Sequence, residues 1–372
     1  MAEGSAAMET HGEAANGRID AIRYPFTDYP APGAAIEVAD GIFWLSLPVP
    51  FVGLKQVNVW LLRDGSGWTM IDCGYGEPRL VEQIEDTWRA VLGGRPISRL
   101  LVTHFHPDHA GNAAFICKRW GLKPYMTQGE WFAANLAWLD RESDAIGDRG
   151  AFYRRHGLPA DDVRQFLAEA VPYKDGVNLP SEYRRIREGQ AIAIGGHAWQ
   201  VIVGEGHSPE HISLYDSKRH ILIAGDQILP GITTNVSTWP SEPEFDAVGA
   251  FLATCRKFLP LLDPDTLVLP SHRKPFSNVR ARLRELAVHH AERLNLILAA
   301  TAAMDKISAG DLIGPLFRAG LDGHSLGFAM GEIIAHLNHL VSLGHMRMAE
   351  GEDRIRYSRT GADRLKLLPA FQ

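Results

Sequence analysis

The chain has 372 residues, 45% of them hydrophobic and 22% charged, which is enough apolar material for one large core plus a smaller one and too much for a disordered chain. Its formal net charge of −6 argues against a generally basic nucleic-acid binder, and no apolar run approaches the roughly 18–20 residues that span a bilayer. Three cysteines, Cys73, Cys117 and Cys255, lie far apart without CxxC spacing, so we read them as small buried residues in a reducing, cytoplasmic setting rather than as a disulfide framework.

In chain order, residues 1–20 are small and polar and lack the charged start and apolar core of a secretory signal, so a flexible tail is expected. From Ile36 to Cys73, GIFWLSLPV, QVNVWLLRDG and GWTMIDCG are short β-rich runs divided by Gly, Asp and Pro. PRLVEQIEDTWRAVLG has apolar residues at helical spacing, SRLLVTH is a short buried-type strand, and HAGNAAFICKRWG is a helix closing at Gly121. Residues 128–187 break this rhythm with helical pieces rich in aromatics and arginine, and they read as an insertion lying over the core. Strands resume with QAIAIGGHAWQVIVGEGH, HISLYD, HILIAGDQIL and DTLVLPSH, with the helix DAVGAFLATCRKFLPLL before the last. After His272 come a long amphipathic helix from Val279, a second around GEIIAHLNHLVSLGH, and a charged hairpin, MRMAEGEDRIRYSRTG.

THFHPDHAGN carries four metal-ligand types in six residues directly after an apolar strand, and a loop at a rigid strand end can aim such side chains at one point. His104 and His106 alternate and so share a side in extended chain. Asp108 and His109 are adjacent and diverge, which suits a second ion beside the first. Imidazole with carboxylate is zinc chemistry, and it also accepts iron or manganese. A lone His or Asp is usually structural or solvated; the combined HxHxDH string is much harder to dismiss. His207, Asp226 and His272 repeat the pattern, each standing where an apolar run ends. A carboxylate at such a point is costly unless paired or bound to metal.

The order HxHxDH, then His, then Asp, then His resembles the metallo-β-lactamase superfamily, in its glyoxalase II-like and ribonuclease Z-like branch, over about residues 36–275. The resemblance implies an α+β fold, an αββα sandwich. It implies that His104, His106 and His207 hold one ion, that Asp108, His109 and His272 hold a second, and that Asp226 bridges them. Asp72, in IDCG, would support the metal loop from behind. Two divalent ions, zinc by expectation, would activate a bridging water for attack on the substrate, with Asp108 and Asp226 as the catalytic carboxylates.

Three segments are expected: the tail 1–20, a hydrolase domain 21–275, and a C-terminal domain 276–372 that resembles a winged helix. Its candidate recognition helix, Glu332 to Leu343, has His336 and His339 but no Lys or Arg, so nucleic-acid binding is not expected. The apolar stripe Ile333, Leu337, Leu340 and Val341, with Leu286, Leu294 and Ile297 on the long helix, suggests packing or a homodimer. In the insertion Trp131, Tyr153, Arg154 and Tyr183 are candidate substrate contacts, with Trp138 and Phe152 beside them and Arg155, Arg184 and Arg185 as further anion-clamp candidates. The expected reaction is hydrolysis of a small thioester or related carboxyl ester. A ribonuclease or phosphodiesterase and a lactonase are the alternatives, and a non-catalytic binding protein sits poorly with seven retained ligand types.

Overall fold

The structure, a computed structural model, describes residues 21–51, 53–139, 144–302, 304 and 306–361. The expected tail, residues 140–143 of the insertion, and residues 362–372 lie outside the described residues.

The chain begins with β1 (Ile36–Ala39), β2 (Ile42–Phe51), β3 (Leu54–Asp64), β4 (Gly67–Ile71), α1 (Pro78–Val91), β5 (Ile97–Leu101), α2 (Pro107–Ala110), α3 (Ala113–Trp120) and β6 (Tyr125–Met126). Four helices follow: α4 (Gln128–Leu139), α5 (Asp144–Arg155), α6 (Ala160–Glu169) and α7 (Tyr173–Gly176). Then come β7 (Arg184–Arg185), β8 (Ala191–Ile194), β9 (His197–Gly204), β10 (His211–Asp216), β11 (Ile221–Gly225), α8 (Ala247–Leu261) and β12 (Leu267–Pro270). The last part holds α9 (Val279–Ala300), a 3-10 turn (Ala309–Leu312), α10 (Ile313–Leu316), α11 (Gly323–Ser342), β13 (Met346–Glu350) and β14 (Ile355–Arg359).

One sheet runs β1 to β7 in order and a second runs β12-β11-β10-β9-β8. Pairing is antiparallel from β1 to β4, parallel from β4 to β7, and parallel again between β11 and β12. Strands covered on both faces read as continuous apolar runs, and β4 and β11 are buried along their whole length. At the margin, β8 alternates exposed Ala with buried Ile, as a half-covered strand should.

Between the sheets lie Trp44, Trp60, Trp199, Ile71, Leu101, Leu214 and Ile223. The outer face of the first sheet packs on α1, α3 and α4 through Trp88, Ile116 and Trp131, and that of the second on α8 and α9 through Phe251, Phe258 and Leu283. The architecture is the expected αββα sandwich.

Two expectations need correcting here. The insertion ends earlier than residue 187, because Arg184 and Arg185 pair with β6 as the outermost strand of the first sheet. The helical stripe read for packing or a homodimer, except the half-buried Val341, is already covered within one chain, as the packing alternative has it. Ile333, Leu337, Leu340, Leu294 and Ile297 form one core with Tyr153, Val163 and Phe166 of the insertion, and Leu286 belongs to the core beside α8. Each of these is 4% exposed or less, so they have no surface left for a second copy.

Candidate metal centre

Each ligand-type segment starts where a strand stops: Asp72 after β4, His104 after β5, His207 after β9, Asp226 after β11 and His272 after β12. β9, β11 and β12 run in one direction and β4 and β5 run parallel, so the loops of each sheet gather at one edge. Cross-sheet hydrogen bonds fasten the two edges together, from Ile212 N–H to Thr103 O (2.9 Å) and from Asn58 N–H to Ser271 O (2.6 Å).

Asp72 organises the first loop from behind. It adopts φ +61°, a left-handed conformation uncommon outside glycine and tolerated best by Asn and Asp. Its carboxylate accepts from Thr103 N–H (2.7 Å), Thr103 Oγ1 (2.9 Å) and His109 Nδ1–H (2.8 Å). With its proton given to Asp72, Thr103 Oγ1 accepts from His104 Nδ1 at 3.0 Å. His207 Nδ1 donates to Asn235 O (2.7 Å) and His272 Nδ1 to Gln56 O (2.9 Å). Four imidazoles therefore have Nδ1 occupied and turn Nε2 inward, and backing of this kind fixes both ring orientation and tautomer in metal sites.

The inward atoms converge. His104 Nε2 lies 2.9 Å from His106 Nδ1 and 3.2 Å from His207 Nε2. Asp108 Oδ2 lies 3.3 Å from His272 Nε2 and 3.5 Å from His109 Nε2. Asp226 Oδ2 stands 3.5–3.6 Å from His272, His109 and His207, at the junction of both clusters. The triads His104–His106–His207, His104–His109–Asp226 and Asp108–His109–His272 each have their ligand atoms within 4.8 Å of one another. All seven side chains are buried except His106, which is half-buried.

These residues fit divalent ions. Imidazole lone pairs facing each other repel unless a cation sits between them, and His109 Nε2 and Asp226 Oδ1 are buried with no hydrogen-bond partner among the described residues. Burial first, and then the neighbouring imidazoles, hold His104 well below the usual histidine range. For His109 and His272, burial also opposes the charge, but the facing aspartates outweigh it. His109 rises well above its usual value and His272 to about 10. A cation in this place would take over the role of balancing the two aspartates, and its binding requires Nε2 of both rings to be free of a proton.

Side-chain nucleophiles nearby are already committed. Ser208 Oγ donates to Glu130 Oε1 (2.6 Å), Cys73 Sγ to His109 O (2.9 Å), and Ser271 Oγ leans on Asp72 Oδ2 (3.5 Å). Cys73, Cys117 and Cys255 are all free and buried.

The candidate substrate residues are not gathered at the centre. Tyr153 is 1% exposed in the core shared with the C-terminal helices, and its hydroxyl donates to Gly327 O. Arg154, Arg184 and Arg185 are exposed, and Arg155 pairs with Glu350 (3.0 Å). Arg154 and Arg155 end α5 facing solvent, and Arg184 and Arg185 form the two-residue outermost strand β7, exposed on both faces. Trp131 and Tyr183 stack on each other with ring centroids 4.5 Å apart and so join α4 to the sheet.

Other residues serve the centre without having stood out in the sequence. His211 Nε2 accepts from Asp226 N–H (3.0 Å) and fixes the start of that loop. Gly225, at φ +56°, leaves the space, since a Cβ there would come 2.4 Å from the His211 ring. Glu130 and Tyr173 reach the first loop from the insertion. Glu130 Oε2 accepts from Phe105 N–H, and Tyr173 OH donates to Phe105 O. The only sequence signal for His211 was a second histidine four residues after His207, and for Glu130 there was none.

The chain matches the family described as the metallo-beta-lactamase superfamily over residues 52–284, and the metallo-beta-lactamase-like C-terminal domain over residues 294–360. It is 40% identical to a beta-lactamase domain protein from Burkholderia ambifaria of known crystal structure, with a TM-score of 0.83 over 91% of this chain and 98% of that one. It is 24% identical over 260 residues to the probable metallo-hydrolase YqjP of Bacillus subtilis, covering 66% of this chain and 76% of the relative. It is 22% identical over 224 residues to the hydroxyacylglutathione hydrolase GloC of Haemophilus influenzae, covering 60% and 88%. The chain belongs to the metallo-β-lactamase superfamily and is a metal-dependent hydrolase of that class. Among the described residues no helix is long and apolar enough to cross a membrane.

Proposed function

We propose that the chain is a two-metal hydrolase of a small thioester or related carboxyl ester. The observation that carries this reading is Asp226 Oδ2, 3.5–3.6 Å from histidines of both clusters: one carboxylate oxygen faces both ligand groups at once. His104, His106 and His207 would hold one ion, Asp108, His109 and His272 the other, and Asp226 would bridge. Zinc suits these donors, with iron and manganese as alternatives. When bound, such ions supply a Lewis acid for the substrate's carbonyl oxygen and make water acidic enough to act near neutral pH.

The chain's own residues do the rest. Water is the nucleophile in this reading, with Ser208 and Cys73 serving through their hydrogen bonds to Glu130 and to the His109 carbonyl to hold the loops. Asp226 Oδ1, without a donor among the described residues, would accept a hydrogen bond from that water and orient it toward the carbonyl carbon. Asp72 and His211 keep His109 and Asp226 from turning as charge moves.

The thioester preference is supported by the likeness to a hydroxyacylglutathione hydrolase. The order of three helices and a hairpin from α9 to β14, with Ile307 bridging to Tyr357, supports reading this part as a winged helix, yet α11 has no Lys or Arg. Phosphate binding needs that charge, which sets the ribonuclease reading second and leaves the lactonase as a variant of the same acyl chemistry. A panel of thioesters, lactones and phosphodiesters with zinc-, iron- or manganese-loaded protein tests the reading. Thioesters are expected to be the fastest substrates; phosphodiesters turned over fastest overturn it.

A further inference from the structure

Phe105 lies between two ligand-type histidines, and both polar groups of its main chain are held by the helical insertion. Its N–H donates to Glu130 Oε2 (2.9 Å), and its carbonyl accepts from the Tyr173 hydroxyl. The other oxygen of Glu130 accepts from Ser208 Oγ (2.6 Å) and from Glu210 N–H (2.7 Å). Ser208 directly follows His207. One carboxylate at the start of α4 therefore joins the loop of His104 and His106 to the loop of His207. The start of α4 is laced to the His207 loop again by Gly129 N–H to Glu210 Oε2 (2.7 Å) and Thr127 Oγ1 to Glu210 O (2.8 Å).

Glu130 is 0% exposed, and among the described residues none of its hydrogen-bond partners is a cation. A buried carboxylate without a counter-ion is expensive. Burial, first among its influences, raises Glu130 to about 7 even against the hydrogen bonds of Ser208, Glu210 and Phe105. An apolar residue would fill that volume at lower cost, so what the carboxylate adds is three directed bonds to two loops. Tyr173 adds the fourth, and its ring lies against Phe105 with centroids 6.1 Å apart.

We propose that Glu130 and Tyr173 are positioning residues for the first cluster: the insertion sets the spacing of His104, His106 and His207 through the Phe105 peptide and Ser208. The inference rests on the metal assignment above and gives the insertion a task other than substrate choice. Neither residue touches substrate in this account. Both act through the histidine loops.

The test uses the full chain loaded with cobalt(II), in the parent and in Glu130→Ala, Glu130→Gln, Tyr173→Phe and Ser208→Ala. Three quantities are read: ions retained per chain during chelator competition, the visible absorption spectrum of the bound cobalt, and the melting temperature of the metal-free protein. Glu130→Ala is expected to weaken one of two ions by about 10–100-fold, the usual loss when a ligand's support is removed, and to alter the cobalt spectrum. Glu130→Gln should recover part of this, because its amide oxygen still accepts from Ser208 and Glu210. Tyr173→Phe should give a smaller loss at the same site. Should Glu130→Ala fail to fold, Glu130→Gln and Tyr173→Phe decide the matter. Variants that hold both ions as tightly as the parent, with an unchanged spectrum, overturn the positioning role even if the metal-free protein melts lower. A parent that binds no cobalt overturns the underlying metal assignment instead.

Discussion

At the scale of single residues, the site depends on a few side chains that face two ways. Asp226 turns one oxygen toward three histidines while its backbone N–H is held by His211. Its carboxyl is kept well below the usual carboxylate range, against burial, by His272 and His109. Replacing it with Ala removes the negative charge between two cation positions, so Asp226→Ala should loosen both ions together, where a change confined to one triad loosens one. Isothermal titration with zinc is the check, and a variant with one ion lost and the other bound as before would contradict the bridging assignment. The seven ligand types and Asp72 were legible in the sequence because each segment that carries them starts at a strand end and HxHxDH packs four of them into six residues. Glu130 and His211 were not legible, because nothing local marks a carboxylate or imidazole whose partners lie 25 to 80 residues away or across a strand end.

At the scale of elements, period and punctuation identified the strands and most helices, since the buried runs of β4 and β11 have few other readings. They did not reveal which apolar face covers which. The stripe of α11 has the same spacing whether it meets a second copy or the insertion, and only the tertiary arrangement sets Leu337 and Leu340 against the insertion core. Where α11 faces α9, His336 Nδ1 donates to Glu332 O (2.7 Å), so His336 Nε2 accepts from His290 Nδ1–H (3.0 Å). Both rings are neutral in this pairing. Burial, with Arg293 and His339 adding to it, lowers His336 to about 4, and burial with neighbouring histidines holds His290 well below its usual value. In the unfolded chain these rings take protons near 6.5, so between about pH 6.5 and 4 the unfolded state binds more protons. Stability from this pair is present at neutral pH and is lost as pH falls through that window. The melting temperature should therefore drop from pH 7 to pH 5, and His336→Gln should flatten the drop while lowering stability at pH 7. An identical pH slope in the variant would remove the pair from this account.

At the scale of the molecule, two sheets supply a rigid edge, loops at that edge supply the ligands, and the insertion and the C-terminal helices share a core beside it. Every part of the functional reading passes through one claim, that the histidines and aspartates at this edge hold two divalent ions. Elemental analysis of the purified full chain, before and after chelation, measures it directly. Up to two transition-metal ions per chain are expected, with hydrolysis abolished when they are stripped and restored when zinc, iron or manganese is returned. A chain that purifies without metal and hydrolyses its substrate equally well in the presence of chelator would contradict it.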